Sequence, residues 1–413
     1  MAIITINPDK TISIDGKKTF PLFMYGMCSN NATLCDTALN RNSNFHFDLT
    51  HGSATDIFFR DTIVPIFQRH GQSYTHAMWI GTSPSILDND LNFFGYIGRD
   101  EPTAGLGIYT GMTQDQMEAQ LLSEYNRHKS DTNHIQVLNH WTHLWTYLPY
   151  ADVISYDTYP VLDNASWDRG DSFYRYEHVT YSRSFDYITG IKKDIDLISK
   201  PVWAVIQGCA IPYNVYDGII ASLTSTEVRI MFYLPITMGF LGIGVWGYNA
   251  GYSIYPETGT GLINNPDLNK RYNDIAGEIR GFNDWLVLPT VAHSWEYNKN
   301  TTVSFNTTLS KTLWAHTFTN FNWILKQIGN VYYLIIVNKD PLPISDVGVT
   351  IQGLTGSMTA TTIGLSEAGS IPGRTLPVTN GSFTDSFDGL AVHIYQIGEE
   401  CLTPQCDFTI TQL

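Results

Sequence analysis

Asp100 and Glu101 stand side by side in the stretch "FFGYIGRDEP", directly after an apolar run and directly before Pro102. Adjacent carboxylates repel each other, and this repulsion raises the pKa of one of them, so that it keeps its proton near neutral pH. A carboxylic acid of this kind can protonate a leaving oxygen, as cleavage of a glycosidic bond requires. The pair therefore predicts Glu101 as a general acid/base with Asp100 beside it. The alternative is an acidic strand end that only caps the following loop.

Further polar and aromatic residues follow other short apolar runs. The candidates for substrate binding are Tyr25, Asp48, Trp79, Asn139, Trp141, Tyr159, Gln207, Trp246 and Tyr248, and Asp157 is a further candidate for catalysis. Rings, amides and carboxylates at equivalent places indicate a carbohydrate site, because the faces of sugars pack on aromatic rings. A phosphate site would need glycine-rich loops with lysine, and a metal site would need clustered histidine or aspartate. We therefore expect neither a cofactor nor a metal.

Several polar residues near the same run ends have structural explanations of equal or greater weight. Asp157 lies in "SYDTYP", where a carboxylate can also fix the Tyr-Pro turn by hydrogen bonding. We expect His51, His140 and His143 to be hydrogen-bonded residues rather than bases. We expect Asp48, like His51, to be structural rather than catalytic. Asp152 begins a predicted strand, at the end of the sheet opposite to the candidate site, and is expected to be structural.

Eight apolar runs between residues 20 and 288 are nearly continuous, as is typical of parallel strands covered on both faces. They are the segments 21–27, 44–50, 74–81, 93–100, 134–141, 152–160, 201–208 and 241–248. Most are separated by stretches of helical spacing, the clearest being 54–70, 113–129, 184–200, 225–240 and 268–287, with Thr113 and Ser225 as N-caps. Eight β/α units in about 270 residues predict a (β/α)₈ TIM barrel, an α/β fold whose functional residues lie at the carboxyl ends of the strands.

The two ends of the chain have a different pattern. Residues 1–19 alternate between apolar and polar around the turn residues Asp15 and Gly16, which predicts a β-hairpin packed on the barrel floor. From residue 289 to residue 413, short alternating segments are separated by Asn, Gly, Pro and Asp. This sequence pattern predicts an all-β sandwich domain after the barrel.

The composition limits the classes of partner. The net charge is −15 and no Lys/Arg-rich run occurs, which argues against a nucleic-acid partner. Charged residues make up only 15% and aromatic residues 13%, a balance that suits contact with neutral polar ligands. No apolar stretch reaches the roughly 20 residues of a membrane span. The first residues also lack the pattern of a signal peptide.

Cysteines and glycosylation motifs bear on the compartment. Cys28 with Cys35, and Cys401 with Cys406, are close enough in sequence to close two short disulfide loops, which leaves Cys209 over. Five Asn-x-Ser/Thr motifs offer N-glycosylation sites, at Asn31, Asn164, Asn300, Asn306 and Asn380. Together with many Asn and Thr residues, these features favour an extracellular, cell-surface or virion-surface location.

Four segments resemble a known group of enzymes: "GRDEP" (98–102), "ADVISYDTYP" (151–160), "KPVWAVIQG" (200–208) and "GFLGIGVWGY" (239–248). They resemble strands four, six, seven and eight of clan A glycoside hydrolases, the (β/α)₈ retaining glycosidases, and most closely a group of them with a C-terminal β-sandwich. Segments 12–26 and 382–397 are similar to that group too, so the resemblance covers nearly the whole chain. The resemblance implies that Glu101 is the acid/base and that the ring of Trp246 forms the bottom of the sugar-binding site.

The sequence departs from the clan pattern in two places. The clan's acid/base follows an Asn that binds the sugar 2-hydroxyl, and here Asp100 stands there. The clan's nucleophile is a Glu at the end of strand seven, and here Gln207 holds that place, although an amide is no nucleophile for this reaction. Three solutions remain. Another carboxylate, Asp157 or Asp48, attacks the sugar or activates water; a 2-acetamido group of the substrate attacks, oriented by Asp100 as in retaining hexosaminidases; or the site binds a glycan without cutting it.

Three functions from different classes follow. The leading hypothesis is a glycoside hydrolase-like protein that acts on an extracellular or surface polysaccharide, with Glu101 as proton donor. The second is a non-catalytic glycan-binding protein, such as an adhesin or a virion-surface attachment protein, on a glycosidase scaffold. The third makes the β-sandwich a homo-oligomer interface and the barrel a structural block. A second carboxylate within reach of Glu101 would discriminate in favour of catalysis.

Overall fold

The computed structural model describes sixteen stretches of the chain and divides it into two compact units, Met1–Val287 and Leu288–Leu413. The described residues are 3–28, 31–49, 57–77, 90–102, 111–129, 131–140, 144–158, 199–208, 223–248, 261–293, 303–305, 310–313, 316–319, 321–339, 342–366 and 370–398. Each unit has its own buried core.

The first unit begins with a three-stranded antiparallel sheet of β1 (Ile4–Ile6), β2 (Ile12–Ile14) and β3 (Lys17–Thr19). The predicted hairpin is therefore extended by a third strand. Asp15 and Gly16 both have positive φ in the turn between β2 and β3. Ile4 and Ile12 belong to the same buried cluster as the barrel interior, and the Ile4 amide donates to the Asn133 carbonyl at 2.9 Å, just before a barrel strand begins. The sheet thus covers the amino-terminal end of the barrel.

Eight parallel strands then form a closed barrel, and all eight predicted strands take part in it. They are β4 (Leu22–Tyr25), β5 (Phe47–Leu49), β6 (Ser73–Ala77), β7 (Phe93–Ile97), β8 (Ile135–His140), β9 (Val153–Thr158), β10 (Val202–Gln207) and β11 (Ile243–Trp246). Neighbours along the chain are neighbours in space, and β11 closes the ring by pairing with β4. The predicted α/β barrel is confirmed.

Aromatic rings fill the barrel interior near its floor. Phe47 stacks on Phe23 and on Phe94, with ring centroids 5.1 and 3.8 Å apart, and Trp203 packs against Phe23 at 5.4 Å. Burial of each such side chain contributes on the order of 2 kcal/mol. Gly244 makes room for these rings, because a Cβ atom there would lie 2.0 Å from the Phe23 ring. The glycine in "LGIGVW" is therefore a packing requirement of the core.

The helices of the first unit are α1 (Ala32–Arg41), α2 (Val64–His70), α3 (Gln114–His128), α4 (Ser225–Thr237), α5 (Pro266–Gly281) and α6 (Asn283–Leu286). A π-helical turn, Phe59–Ile63, precedes α2, and 3₁₀ turns cover Leu144–Tyr150 and Leu262–Asn264. Residues 184–198 of the predicted helix 184–200 lie outside the described residues. No helix in the described part of the chain is long and apolar enough to cross a membrane.

The two predicted N-caps have different outcomes. Thr113 caps α3 in a capping box with Gln116, as predicted. Ser225 is wrong by one residue, because Thr224 is the N-cap of α4. The Glu227 carboxylate explains the choice: it accepts hydrogen bonds from the Thr224 backbone amide at 2.8 Å and from the Thr224 hydroxyl at 2.9 Å. Only a cap at residue 224 puts this glutamate at the third helical position.

The second unit is antiparallel β structure. Its strands are β12 (Ala292–His293), β13 (Val303–Phe305), β14 (Ser310–Leu313), β15 (His316–Thr319), β16 (Phe321–Ile328), β17 (Val331–Asn338), β18 (Ile344–Ile351), β19 (Ser357–Thr362), β20 (Thr375–Thr379), β21 (Ser382–Phe387) and β22 (Val392–Ile397). Nine of them form one sheet in the order β12-β16-β17-β22-β19-β20-β21-β18-β13, and β14 pairs with β15. All nine contribute to one buried cluster, so the predicted sandwich is a single curved sheet around a common core.

A buried polar cluster lies beside this core. Both oxygens of Asp385 accept from the Arg374 guanidinium at 2.6 Å, and the Tyr395 hydroxyl donates to Asp385 at 2.6 Å. His393 contacts the same carboxylate at 3.1 Å. Burial by itself raises the pKa of Asp385, but hydrogen bonds from His393, Arg374 and Tyr395 outweigh burial and hold the pKa well below its usual value. Asp385 therefore joins three side chains as an ionised acceptor.

Candidate functional site

The segment after the fourth barrel strand brings three charged residues to the carboxyl ends of the strands, which we call the rim. Arg99 directs its guanidinium to α3, where it donates to Gln120 Oε1 at 3.0 Å. Asp100 directs its carboxylate to β4 and β8 on the interior side. Glu101 then stands at the start of the next loop. Arg99 and Asp100 therefore point to opposite sides of the segment, as successive residues of an extended chain do.

Asp100 is held by two donors from neighbouring strands. The Tyr25 hydroxyl donates to Asp100 Oδ1 at 2.8 Å, and the Asn139 amide nitrogen donates to the same oxygen at 2.9 Å. The Ser155 hydroxyl donates in turn to Asn139 Oδ1 at 2.8 Å. Tyr25, Asp100, Asn139 and Ser155, the Asp100 cluster, thus link strands one, four, five and six. Three of the four were predicted site residues, and Ser155 was missed because one serine in an apolar strand carries no distinctive signal.

Glu101 has a backbone conformation that glutamate rarely adopts. Its φ is +43°, in the left-handed region. Side chains other than glycine reach this region at a cost of about 1 kcal/mol or more. The Glu101 amide donates to the Asn139 carbonyl at 3.1 Å, so the same residue that holds Asp100 also holds the backbone of Glu101. Strained backbone of this kind is concentrated at functional sites.

A buried glutamate on α3 supports the segment from the helical layer. Glu124 is almost completely buried and accepts from Gln120 at 2.9 Å, while Gln120 accepts from Arg99. Burial raises the pKa of Glu124, and the Gln120 bond and the positive charge of Arg99 oppose it. Sequence reasoning missed this support. The available signal was a glutamate on the buried face of the helix that follows strand four.

Gln207 and Trp246 end strands seven and eight on the interior face. Gln207 lies in register with Trp246, which lies in register with Tyr25. Along β10, Trp203 and Val205 point into the interior cluster, so Gln207, two residues further, points the same way. Gln207 is fully buried and Trp246 is half-buried. The seventh strand therefore ends in an amide on the interior face, at the place where the sequence resemblance implies a carboxylate.

Asp48 belongs to a different surface from the one predicted. It pairs with Met24 and with Tyr74, whose ring packs on Phe67 of α2, so Asp48 faces the helices rather than the interior. Its oxygens accept from the backbone amides of Met27 at 2.9 Å and Cys28 at 3.2 Å. Burial raises the pKa of Asp48 to about 7, against the opposing effect of these amides. Its observed task is to hold the loop after β4.

Tyr248 also lies away from the rim. Its ring is fully buried, and burial raises the pKa of its hydroxyl, opposed by Arg41 and Asn42 at the end of α1. Tyr248 lies away from the rim because of the direction that the chain takes after β11. Trp246 points inward at the end of β11, and two turn residues later the chain has moved outward over α1.

Two further residues are structural. His140 pairs in register with Tyr156 and stacks on Tyr147, with ring centroids 6.2 Å apart, and its ring nitrogens have no hydrogen-bond partner among the described residues. Burial lowers the pKa of His140 to about 3, so the ring is neutral. The hydrogen bond that we expected for His140 is not formed with any described residue. Asp152 accepts from the Tyr125 hydroxyl at 2.8 Å and from the Gln136 amide at 2.9 Å, in agreement with a structural role at the floor.

The remaining predicted residues are only partly covered. Asp157 pairs through its backbone with Val205, and its side chain lies outside the described part of the structure. Also outside the described residues are His51, Trp79, Trp141, His143, Tyr159, Asn164, Cys209, Asn300, Asn306, Cys401 and Cys406. Within the described stretches, no group of three His, Cys, Asp or Glu side chains is placed to hold a metal ion.

The loop after β4 carries a disulfide bond. Cys28 is bonded to Cys35 at the start of α1. Asn31, one of the glycosylation motifs, is exposed and caps α1 by accepting from the Leu34 amide at 3.1 Å. Asn380 is exposed in the turn between β20 and β21, and its side chain accepts from the Gly356 amide at 3.0 Å. Glycosylation at either position remains a prediction.

Comparison with solved structures bears on this architecture. A structure described as a glycoside hydrolase matches 96% of this chain and 97% of its own, with a TM-score of 0.64 and 12% identity. The chain shares its fold with glycoside hydrolases. A glycoside hydrolase family 5 protein from Bacteroides vulgatus ATCC 8482 gives a TM-score of 0.62 at 12% identity, covering 96% of this chain and 94% of that one. No protein-family model and no curated protein matches the sequence.

The likeness of fold extends to an α-amylase. An α-amylase from Geobacillus thermoleovorans gives a TM-score of 0.53 at 7% identity, over 93% of this chain and all of that one. The shared fold therefore does not by itself identify an activity or a substrate.

Proposed function

We propose that this protein is a glycoside hydrolase that acts on an extracellular or surface polysaccharide, with Glu101 as the general acid/base. The observation that carries the proposal is the Asp100–Glu101 pair at the end of strand four, fixed by Tyr25 and Asn139. Glu101 is half-buried there and keeps a left-handed backbone conformation that glycine would adopt more easily. Trp246 on the same rim supplies an aromatic face for a sugar.

The proposed location has independent support from the disulfide. Cys28 and Cys35 close a loop of the kind that persists in oxidising compartments. The exposed sequon residues Asn31 and Asn380 fit the same compartment. A cell-surface or virion-surface site of action is part of this proposal.

The test is release of reducing ends from a panel of polysaccharides and aryl glycosides. Full-length wild type, Glu101→Gln and Glu118→Gln are compared at equal concentration, the last being a glutamate of α3 outside the rim. We expect the wild type and Glu118→Gln to release sugar equally. Loss of the acid proton should lower the rate of Glu101→Gln by about 10²- to 10⁴-fold. Equal rates for wild type and Glu101→Gln would exclude Glu101 as the acid.

One observation favours a second candidate function, glycan binding without cleavage. Gln207 ends the seventh strand, where clan members carry the nucleophile. A site that had lost its nucleophile would keep its shape and its aromatic face. Under this hypothesis, no panel substrate is cleaved, yet glycan-array binding is lost when Trp246 is replaced by Ala. Cleavage by the wild type would exclude it.

A further inference from the structure

The carboxylate of Asp100 is hydrogen-bonded on one side only. Oδ1 accepts from both Tyr25 and Asn139, whereas Oδ2 has no hydrogen-bond partner in the described part of the chain. The residue is half-buried at the rim, directly before the proposed acid. A carboxylate is an acceptor only, so the group that fills the open side must donate a hydrogen bond. Asp100 is thus suited to a substrate with a donor close to the bond that is cleaved.

A second feature concerns the nucleophile. Gln207 lies on the interior face at the end of strand seven, and its amide cannot form the covalent glycosyl intermediate. A substrate that carries its own nucleophile removes this requirement. An acetamido group on carbon 2 of the sugar has both properties, because its N–H donates and its carbonyl oxygen can attack the anomeric carbon.

We therefore propose that the site takes 2-acetamido-2-deoxy glycosides, and that Asp100 selects them by accepting their N–H at Oδ2. This inference rests on the proposed function, because it assigns the proton transfers to Glu101. It adds to that function the class of sugar and the group that replaces the clan nucleophile. Asp100 is the specificity-determining residue, and Tyr25 and Asn139 are positioning residues that act through it.

The reaction has two balanced steps. In the first, the acetamido carbonyl oxygen forms a bond to the anomeric carbon while the bond to the leaving oxygen breaks, and Glu101 transfers its proton to that oxygen. The cyclic intermediate carries its positive charge close to Asp100, whose carboxylate stabilises it. In the second step, Glu101 takes a proton from water, the hydroxide bonds to the anomeric carbon, and the ring opens to restore the acetamido group. Two displacements retain the configuration.

The Asp100→Asn variant tests the assignment sharply. Asn139 donates its NH₂ to position 100, and if it keeps that orientation, the oxygen of the new amide must take the place of Oδ1. The new NH₂ group then takes the place of Oδ2. A donor would face the N–H of the substrate, which is a mismatch, whereas a 2-hydroxyl group can accept from it. We expect kcat/KM for acetamido glycosides to fall about 100-fold.

The experiment compares matched aryl glycosides and oligosaccharides with 2-hydroxy, 2-acetamido and 2-trifluoroacetamido groups. Full-length wild type, Asp100→Asn and the exposed control Asp115→Asn are assayed, and binding of a thiazoline mimic of the cyclic intermediate is measured by calorimetry. We expect cleavage of acetamido substrates only, a loss of rate on fluorination, and thiazoline binding that Asp100→Asn weakens and Asp115→Asn preserves.

The outcomes separate this inference from the function on which it rests. Cleavage of 2-hydroxy glycosides as fast as acetamido glycosides, or no slowing on fluorination, would overturn the acetamido inference and leave the glycosidase intact. No cleavage of any substrate, with no thiazoline binding, would overturn both. Thiazoline binding that is unchanged in Asp100→Asn would remove Asp100 as the selecting residue.

Discussion

At the scale of single residues, the rim is organised around one carboxylate that is not itself the proposed acid. Asp100 receives Tyr25 from strand one and Asn139 from strand five, which lie 75 and 39 residues away in the chain. Such partners cannot be inferred from one sequence, because nothing local relates them. The pair Asp100–Glu101 itself was predictable, because two carboxylates at a strand end are unusual. Its surroundings required the folded barrel.

The Tyr25 hydroxyl offers a test of this organisation. Tyr25→Phe removes one of the two donors to Asp100 and leaves the ring in place. A hydrogen bond to a charged group contributes about 1.5–3 kcal/mol, so we expect kcat/KM to fall about 10- to 100-fold on the preferred substrate. Tyr332→Phe in the second unit is the control and should have wild-type activity. An unchanged rate in Tyr25→Phe would show that Asp100 does not depend on this donor.

At the scale of elements, strands were easier to predict than the direction of the side chains on them. The eight barrel strands are near-continuous apolar runs, and all eight were found from that property. Asp48 points away from the interior because successive strand residues point to opposite faces, and a shift of one residue exchanges them. Tyr248 lies away from the rim because β11 ends at Trp246 and the chain then turns outward. The cap of α4 was misplaced for a related reason, since Thr224 and Ser225 are both good capping residues and Glu227 decides between them.

The cap of α4 can be tested by two adjacent substitutions. Thr224→Ala removes the hydroxyl that accepts from the Glu227 amide and also donates to its carboxylate. We expect it to lower the free energy of unfolding by about 1 kcal/mol. Ser225→Ala, one residue further along, should change it by less than about 0.5 kcal/mol. Denaturant titration of both variants measures the difference, and a larger loss in Ser225→Ala would contradict the assigned cap.

The curved sheet carries a pH-dependent element of its own. The pKa of Asp385 is lower in the folded than in the unfolded state, so its contribution to stability is present above the unfolded pKa and is lost as the pH falls below about 4. Asp385→Asn should therefore destabilise the protein by about 3 kcal/mol at neutral pH. The difference from wild type should shrink on acidification. Asp388→Asn, an exposed neighbour, should show neither effect.

At the scale of the whole molecule, the net charge of −15 bears on the choice of glycan. A polyanionic polysaccharide would be repelled, and salt would weaken that repulsion. We expect affinity for the preferred glycan to change little between about 50 and 500 mM salt, as for a neutral ligand. Affinity that rises strongly with salt would indicate an acidic glycan instead. Calorimetry across the salt series measures this.

The left-handed backbone of Glu101 has an evolutionary consequence. Mutation supplies glycine at such a position repeatedly, and glycine would relieve the strain, so a glutamate persists there only if selection acts on its side chain. We expect Glu101→Gly to be more stable than Glu101→Ala by about 1 kcal/mol, while both lose activity. Thermal denaturation of the two variants measures that difference. If it is found, this protein keeps the carboxylate at its rim at the expense of its resting stability.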